Sequence, residues 1–245
     1  MRSERLWVLR AAGVAALLLS AASPAAAQEI GLGSGTLTGQ SLFIISAVTI
    51  LSLAPGLAVM VTCFPFIVTV LSILRQGIGL QQSPPNMLIV SLALFLTWFI
   101  MEPAMTEAWR VGISPLIDGS IDVSTAFDRG IAPFRGFMAA RLDPDTLHEL
   151  AALRPGAAAI TDPAQAPLSL LVPSFMLSEM SRAFEIGFLL YLPFLVIDLV
   201  VAAVLMSMGM MMVPPAVVSL PFKLAFFVMA DGWSLVSGAL VRGYI

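Results

Sequence analysis

Residues that carry chemistry are scarce in this chain. Among its 245 residues there is one cysteine, Cys63, and one histidine, His148. A single cysteine makes no intrachain disulfide and no thiolate metal cluster. Cys63 sits among Val61, Phe64 and Phe66, a setting that favours a neutral, inert thiol. His148 falls among solvated charges and reads as a surface residue, because isolated titratable groups on a polar face are seldom catalytic. No zinc spacing, P-loop or dinucleotide-binding glycine motif occurs. These absences argue against an enzyme, and nothing in the sequence calls for a metal or a cofactor. Charge is scarce too, at 11% of residues with a net charge of −3. The lysines and arginines are too few and too scattered to build a phosphate-binding face, which excludes nucleic acid as a partner.

Apolar residues fill the space left, at 59% of the chain, and 14 methionines are among them. A soluble domain of this composition would expose large sticky patches, so the expected solvent is lipid or a protein interface. The first 27 residues read as a cleavable signal peptide: Arg2, Arg5 and Arg10 precede a short apolar stretch, Val14 to Leu19. Ala25-Ala26-Ala27 then supplies the small-residue cleavage pattern. The alternative is an uncleaved first membrane helix, against which the apolar core falls short of the ~20 residues a span needs. Cleavage would place the new N-terminus outside the cytoplasm of a bacterial inner-membrane protein.

The mature chain divides into three parts. Residues 28–104 hold a Gly/Ser/Thr-rich lead-in and two apolar helices. The stretch Leu42 to Leu74 would be about 50 Å long as one straight helix, against a hydrocarbon core of about 30 Å. Pro55 and Pro65 are its expected breaks. The second apolar helix is expected from Met87 to Met101, closing at Glu102-Pro103. Residues 105–167 carry much of the charge and read as a small helical periplasmic segment with an Ala/Pro/Gly-rich linker. Within it Asp143-Pro144 reads as an N-cap followed by proline at the first helical position. A further amphipathic helix or pair of helices there is expected to break near Gly130 and Pro133. Residues 168–245 read as a helical hairpin, its first arm interrupted at Pro193 and Asp198. The segment expected outside carries Arg110, Arg129, Arg135, Arg141 and Arg154 while the inside loops offer little beyond Arg75, which is weak support at best for a positive-inside arrangement. Together with helices of the wrong length, this suggests that subunit packing sets the final helix positions. The fold class is all-α, multi-pass, with broken and proline-kinked apolar helices.

Five charges lie within the apolar segments of the last part: Glu179, Arg182, Glu185, Asp198 and Lys223. A charge in lipid is expensive, so each should have a partner. Glu179 with Arg182, and Arg182 with Glu185, are i,i+3 pairs on one helix. Asp198 and Lys223 flank the turn at Met208–Pro215, and an antiparallel hairpin would bring them to similar depth. The functional alternative for this pair is a proton or ion relay. The turn itself is the most specific local signal. Three consecutive helical residues point over about 200°, so Met210, Met211 and Met212 cannot share one stripe. On a loop hinged by Gly209 and stopped by Pro214-Pro215 they could project together. A ring of such loops would make a soft apolar constriction, since methionine is unbranched and fills irregular gaps. Ordinary core filling is the competing explanation.

At these residues the sequence resembles the FliP/SctR family of type III secretion export-gate subunits. The resemblance runs through Pro84-Pro85-Asn86 and the apolar helix after it. It continues in Ala183-Phe184-Glu185-Ile186-Gly187-Phe188 and in Pro193 to Val200. It resumes at Gly209 to Pro215, Leu220-Pro221-Phe222-Lys223-Leu224 and Asp231-Gly232-Trp233. The resemblance implies a homo-oligomeric ring, a pentamer, that assembles with FliQ and FliR subunits. It further implies an export apparatus with FlhA and FlhB, and unfolded flagellar proteins as the cargo crossing the inner membrane. Met210, Met211 and Met212 would form the gasket of the closed pore. Departures are visible: Phe66 where the family often has Arg, Met87 where Gln is common, and Ser181, Arg182 and Glu185 where a Lys-Thr pair and a Gln are usual. The SctR-type subunit of an injectisome is the nearest alternative, and a self-contained channel or transporter using Asp198 and Lys223 is the next.

Overall fold

The computed structural model of the chain describes residues 37–79, 84–154, 162–210 and 212–244. The expected signal peptide, most of the lead-in, and Met211 lie outside the described residues. Among the described residues the regular structure is entirely helical. The long helices in chain order are α1 (Leu37–Met60), α2 (Phe64–Ile78) and α3 (Asn86–Ala108). A π-helical turn (Trp109–Ile113) and the short α4 (Ser114–Ile117) follow. Then come α5 (Val123–Arg141), α6 (Pro144–Ala152), a 3₁₀ turn (Pro163–Gln165), α7 (Leu168–Ser207), α8 (Pro215–Met229) and α9 (Gly232–Arg242). The chain divides into two compact units, residues 1–53 and 54–245. The described part of the first is helical from Leu37.

The second unit holds two hydrophobic cores. One gathers Ile67, Val70, Leu71 and Leu74 of α2 with Ala93 and Met101 of α3, Ala183 and Phe194 of α7, Phe227 of α8 and Leu240 of α9. The other joins Met138 of α5, Leu147 of α6, and Leu170, Leu171 and Phe175 at the start of α7. Helix α2 runs parallel to α7: Gly187 faces Ile73, and Gly77 faces Tyr191 and Phe194. Helix α3 returns antiparallel to α2, with Ile78 beside Ile89 and Leu92 at one end and Cys63 beside Thr97 at the other. Among the described residues two helices, Asn86–Ile117 counted through its π turn and α7, are long and apolar enough to cross a membrane. The pair α8 and α9, bent by 60° at Asp231, would make a third.

Several expected breaks do not occur. Helix α1 continues across position 55 to Met60, and the break falls at residues 61–63. Pro65 instead opens α2 from its first turn, where a missing N–H is no loss. Helix α3 passes through Pro103, α5 through Gly130 and Pro133, and α7 through both Pro173 and Pro193. Each proline removes one backbone hydrogen bond, and packing along the remaining turns keeps the rod helical. The Asp143 cap is in place: its carboxylate accepts from the backbone N–H of Thr146 at 3.1 Å, with Pro144 at the first helical position. Asp122 caps α5 in the same way through Ser124.

Hydrogen bonds from Ser124 and Thr125 hold the Asp122 carboxyl below the usual aspartate value of 3.8, and those from Thr146 do the same for Asp143. A carboxyl whose folded pKa is depressed contributes stability above its unfolded value, and that contribution is lost as pH falls through the folded one. Acidification below about pH 4 should therefore lower the thermal midpoint, and Asp122→Asn/Asp143→Asn should flatten that dependence.

Gly112, in the π turn, is buried against α5. A Cβ there would stand 2.9 Å from the Ala126 carbonyl oxygen and 2.9 Å from Gly130 Cα, both backbone atoms that cannot yield. Gly112→Ala should lower stability by about 1–3 kcal/mol through overpacking. Gly136→Ala, in open space on α5, should instead stabilise by about 0.5–1 kcal/mol. Thermal unfolding of the two variants in detergent separates them by sign.

Candidate functional site

The turn between α7 and α8 is shaped by backbone chemistry. Gly209 takes a left-handed conformation, φ 75°, which only glycine adopts without penalty. The Gly209 N–H donates to the Met206 carbonyl at 3.1 Å and the Met210 N–H to the Leu205 carbonyl at 3.0 Å. These are the two bonds of a Schellman motif, and they satisfy carbonyls that the helix end would otherwise leave bare. The motif brings a hydrophobic contact with it: Met210 and Leu205 line one groove, with Val200, Val204, Val218 and Phe222. This groove, about 540 Å³, has no polar lining. Pro215 restarts the chain as α8 from its first turn. Met210 is 41% exposed and Met212 97% exposed. The loop thus offers the thioethers of Met210 and Met212 at the end of the hairpin.

Below the loop the hairpin is pinned by a buried ion pair. The Lys223 ammonium donates to Asp198 Oδ2 at 2.6 Å and to the Gly77 carbonyl at 3.1 Å. The Ser219 hydroxyl donates to Asp198 Oδ1 at 2.5 Å. The lysine side chain is 6% exposed and the aspartate 30%. Gly77 lies in the last turn of α2, where the helix presents unpaired carbonyls and the negative end of its dipole. Lys223 therefore ties three helices together: α8 by its own backbone, α7 through Asp198 and α2 through Gly77.

The other three charges do not group as i,i+3 pairs. Glu179, 1% exposed, turns away from Arg182 and receives Arg141 of α5, Nε to Oε1 3.4 Å, together with the Tyr244 hydroxyl. Arg141 also donates to the Gly243 carbonyl at 2.7 Å and lies 4.0 Å from the centre of the Tyr244 ring. That ring packs edge-on to Phe66 and stacks with Phe137. A buried carboxylate needs a charged and hydrogen-bonded partner, and this one finds it in Arg141 of α5 and in Tyr244 rather than on its own helix. Arg182 and Glu185 are exposed and form no ion pair among the described residues. Arg141 and Tyr244 were invisible from the sequence, since they lie 38 and 65 residues from Glu179. Among the described residues no three acidic, histidine or cysteine side chains are placed to hold a metal ion.

The FliP family's sequence profile matches residues 47–240. The chain belongs to the FliP family. It is 49% identical to the flagellar biosynthetic protein FliP of Caulobacter vibrioides over the whole of this chain and 92% of that protein. The Rhizobium meliloti protein of the same name is 50% identical over 80% of this chain and 81% of its own length. That of Aquifex aeolicus is 43% identical over 88% and 90%. As a FliP-family member the chain is a membrane component of the flagellar export apparatus, with a structural rather than an enzymatic role.

Proposed function

We propose that this FliP-family chain is a subunit of the export gate, forming a ring of copies that joins FliQ- and FliR-type subunits. Unfolded flagellar proteins cross the inner membrane through its centre, beside FlhA- and FlhB-type components. The observation that carries this reading is the methionine loop, held open by Gly209 and presenting Met212 to the outside. Around a shared axis such loops make a deformable apolar seal, because thioether side chains repack at little cost.

The length of α7 supports the reading. Forty residues make a rod of about 60 Å, twice the roughly 30 Å of a hydrocarbon core. Its outer face nevertheless stays apolar at Leu177, Phe184, Phe188, Val196, Val200 and Val204, all exposed. Whatever part of this face leaves the lipid must be covered by protein. We place the expected signal peptide, residues 1–27, ahead of the mature subunit, and the segment 105–167 on the periplasmic side. A relay for protons or ions is disfavoured because Asp198 and Lys223 neutralise each other and both carry further hydrogen bonds.

The test is isolation of the native complex followed by mass analysis. A multi-copy ring with small hydrophobic partner chains is the expected result. A stable, functional monomer would overturn it in favour of a self-contained transporter.

A further inference from the structure

Glu102 and Arg182 are exposed charges of opposite sign on the apolar helices, each without a hydrogen bond or ion pair among the described residues. Glu102 lies on α3 in the stripe Trp98, Glu102, Met105, Trp109, spaced i, i+4, i+7, i+11 on one face. With Phe134 of α5 these residues line an open groove of about 500 Å³. Trp98 and Trp109 are both exposed, so the carboxylate shares its groove with two indoles, a setting that suits a guanidinium by charge and by ring contact. The other acid of α3, Glu107, is already taken by Arg110 at 2.7 Å.

The matching cation is Arg182 of α7. It lines a different cavity, with Phe66, Ile186 and Leu240, on the side where α7 meets α9. Glu185, one turn further on, does not take it. Asp143, the acid that feels it at longer range, accepts from Thr146 through Oδ2 and forms no ion pair with it. Both charges stand near the first turn of α2, which has Thr97 against Cys63 and Arg182 beside Phe66. Glu102 is five residues past Thr97, about 8 Å along the axis to one side of Cys63, and Arg182, five residues before Gly187, is about 8 Å to the other side, so nearly three turns separate their levels. The side chains narrow that gap, because helical side chains tilt toward the N-terminus of their own helix. As α3 runs against α7, Glu102 tilts toward the level of Arg182 and Arg182 tilts toward the level of Glu102.

We infer that Arg182 of one copy docks between Trp98 and Trp109 of the next and pairs with its Glu102, forming a heterologous contact between copies of this chain. The inference rests on the ring assembly proposed above. A head-to-tail contact of this kind uses two different faces of each subunit and makes a ring where its rotation closes, and like charges placed at it repel.

The experiment is a charge exchange in the full chain, expressed with its native partners and read as ring mass and yield. Glu102→Arg and Arg182→Glu should each lower ring yield about tenfold or more, and Glu102→Arg/Arg182→Glu should restore it to within about threefold of the wild type. Single losses without rescue in the double variant overturn the pairing. Independently, two forms carrying Glu102→Cys and Arg182→Cys, both with Cys63→Ser, are expressed together and treated with a short thiol crosslinker. A crosslinked dimer is the expected product. Intact rings with no such dimer overturn the contact while leaving the ring itself standing. A wild-type chain that forms no ring removes the assembly on which the inference rests, and is read separately from both.

Discussion

Asp198→Ala is expected to be among the most damaging single substitutions in the hairpin, lowering stability by about 3 kcal/mol, the lower end of the range for breaking a buried ion pair. The lower end applies because Asp198 keeps 30% of its side chain exposed, so water compensates part of the loss. What remains is a 6%-exposed Lys223 ammonium, with the Gly77 carbonyl as its one remaining acceptor among the described residues. Lys223→Met/Asp198→Ala should recover part of that loss, because an apolar pair leaves no charge stranded. The α2 terminus then forfeits the Lys223 donor, so recovery should stop short of the wild type. Thermal unfolding of the isolated subunit and ring yield report the two levels. The assignment of Asp198 to holding the hairpin predicts that both fall together. Normal ring yield with altered ion coupling would return this pair to a relay.

Met210→Ala/Met211→Ala/Met212→Ala should raise ion leak through the assembled gate while leaving assembly intact. Met212 is 97% exposed and touches little within its own chain, so its truncation removes almost no packing from the subunit. Met210 contributes to the groove beside Leu205, so some loss of subunit stability accompanies it. The larger effect belongs to the ring, where shortening each side chain opens the constriction from several sides at once. Electrophysiology of membranes holding the assembled complex gives the readout, and Gly209→Ala offers a contrast. That substitution forces a side chain into a left-handed turn at φ 75° and disturbs the direction of the loop without removing a single thioether. Conductance in the triple variant equal to the wild type would mean that these methionines are packing alone.

How much of this was legible beforehand differs by element, for physical reasons. The Asp143-Pro144 helix start could be read because capping is local: a carboxylate and a backbone N–H three residues apart settle it. The turn at Gly209 and Pro214-Pro215 was legible for the same reason. The Asp198–Lys223 approach followed from hairpin geometry, since two charges equally far from a turn meet when its arms pack. The third contact of Lys223, to Gly77, did not follow, because it closes 146 residues of chain.

The prolines misled. A proline weakens a helix by about 3 kcal/mol on its own, but each loses one hydrogen bond while neighbouring turns bury Thr97, Met101, Met138, Ala183 and Phe194. Tertiary packing therefore outweighed local preference at Pro103, Pro133 and Pro193. Glu179 misled in another way. Its spacing to Arg182 suits an i,i+3 pair, yet its side chain faces the core, where Arg141 and the Tyr244 hydroxyl solvate it better than an exposed neighbour could. Spacing along one helix says which residues can meet, whereas burial decides which do. Gly112 carried no readable signal, because the need for a missing Cβ arises only when α5 passes at backbone distance.

Disulfide formation at the loop tip tests the gate most directly. Met212→Cys is placed in a Cys63→Ser chain, the assembled complex is oxidised, and the subunits are separated by size without reduction. Loops that meet around one passage predict covalent dimers of this chain from intact complexes, together with a fall in leak or export that reduction reverses. Intact complexes in which the Met212→Cys chains stay monomeric, while Phe188→Cys on the exposed face of α7 crosslinks instead, would contradict a central seal.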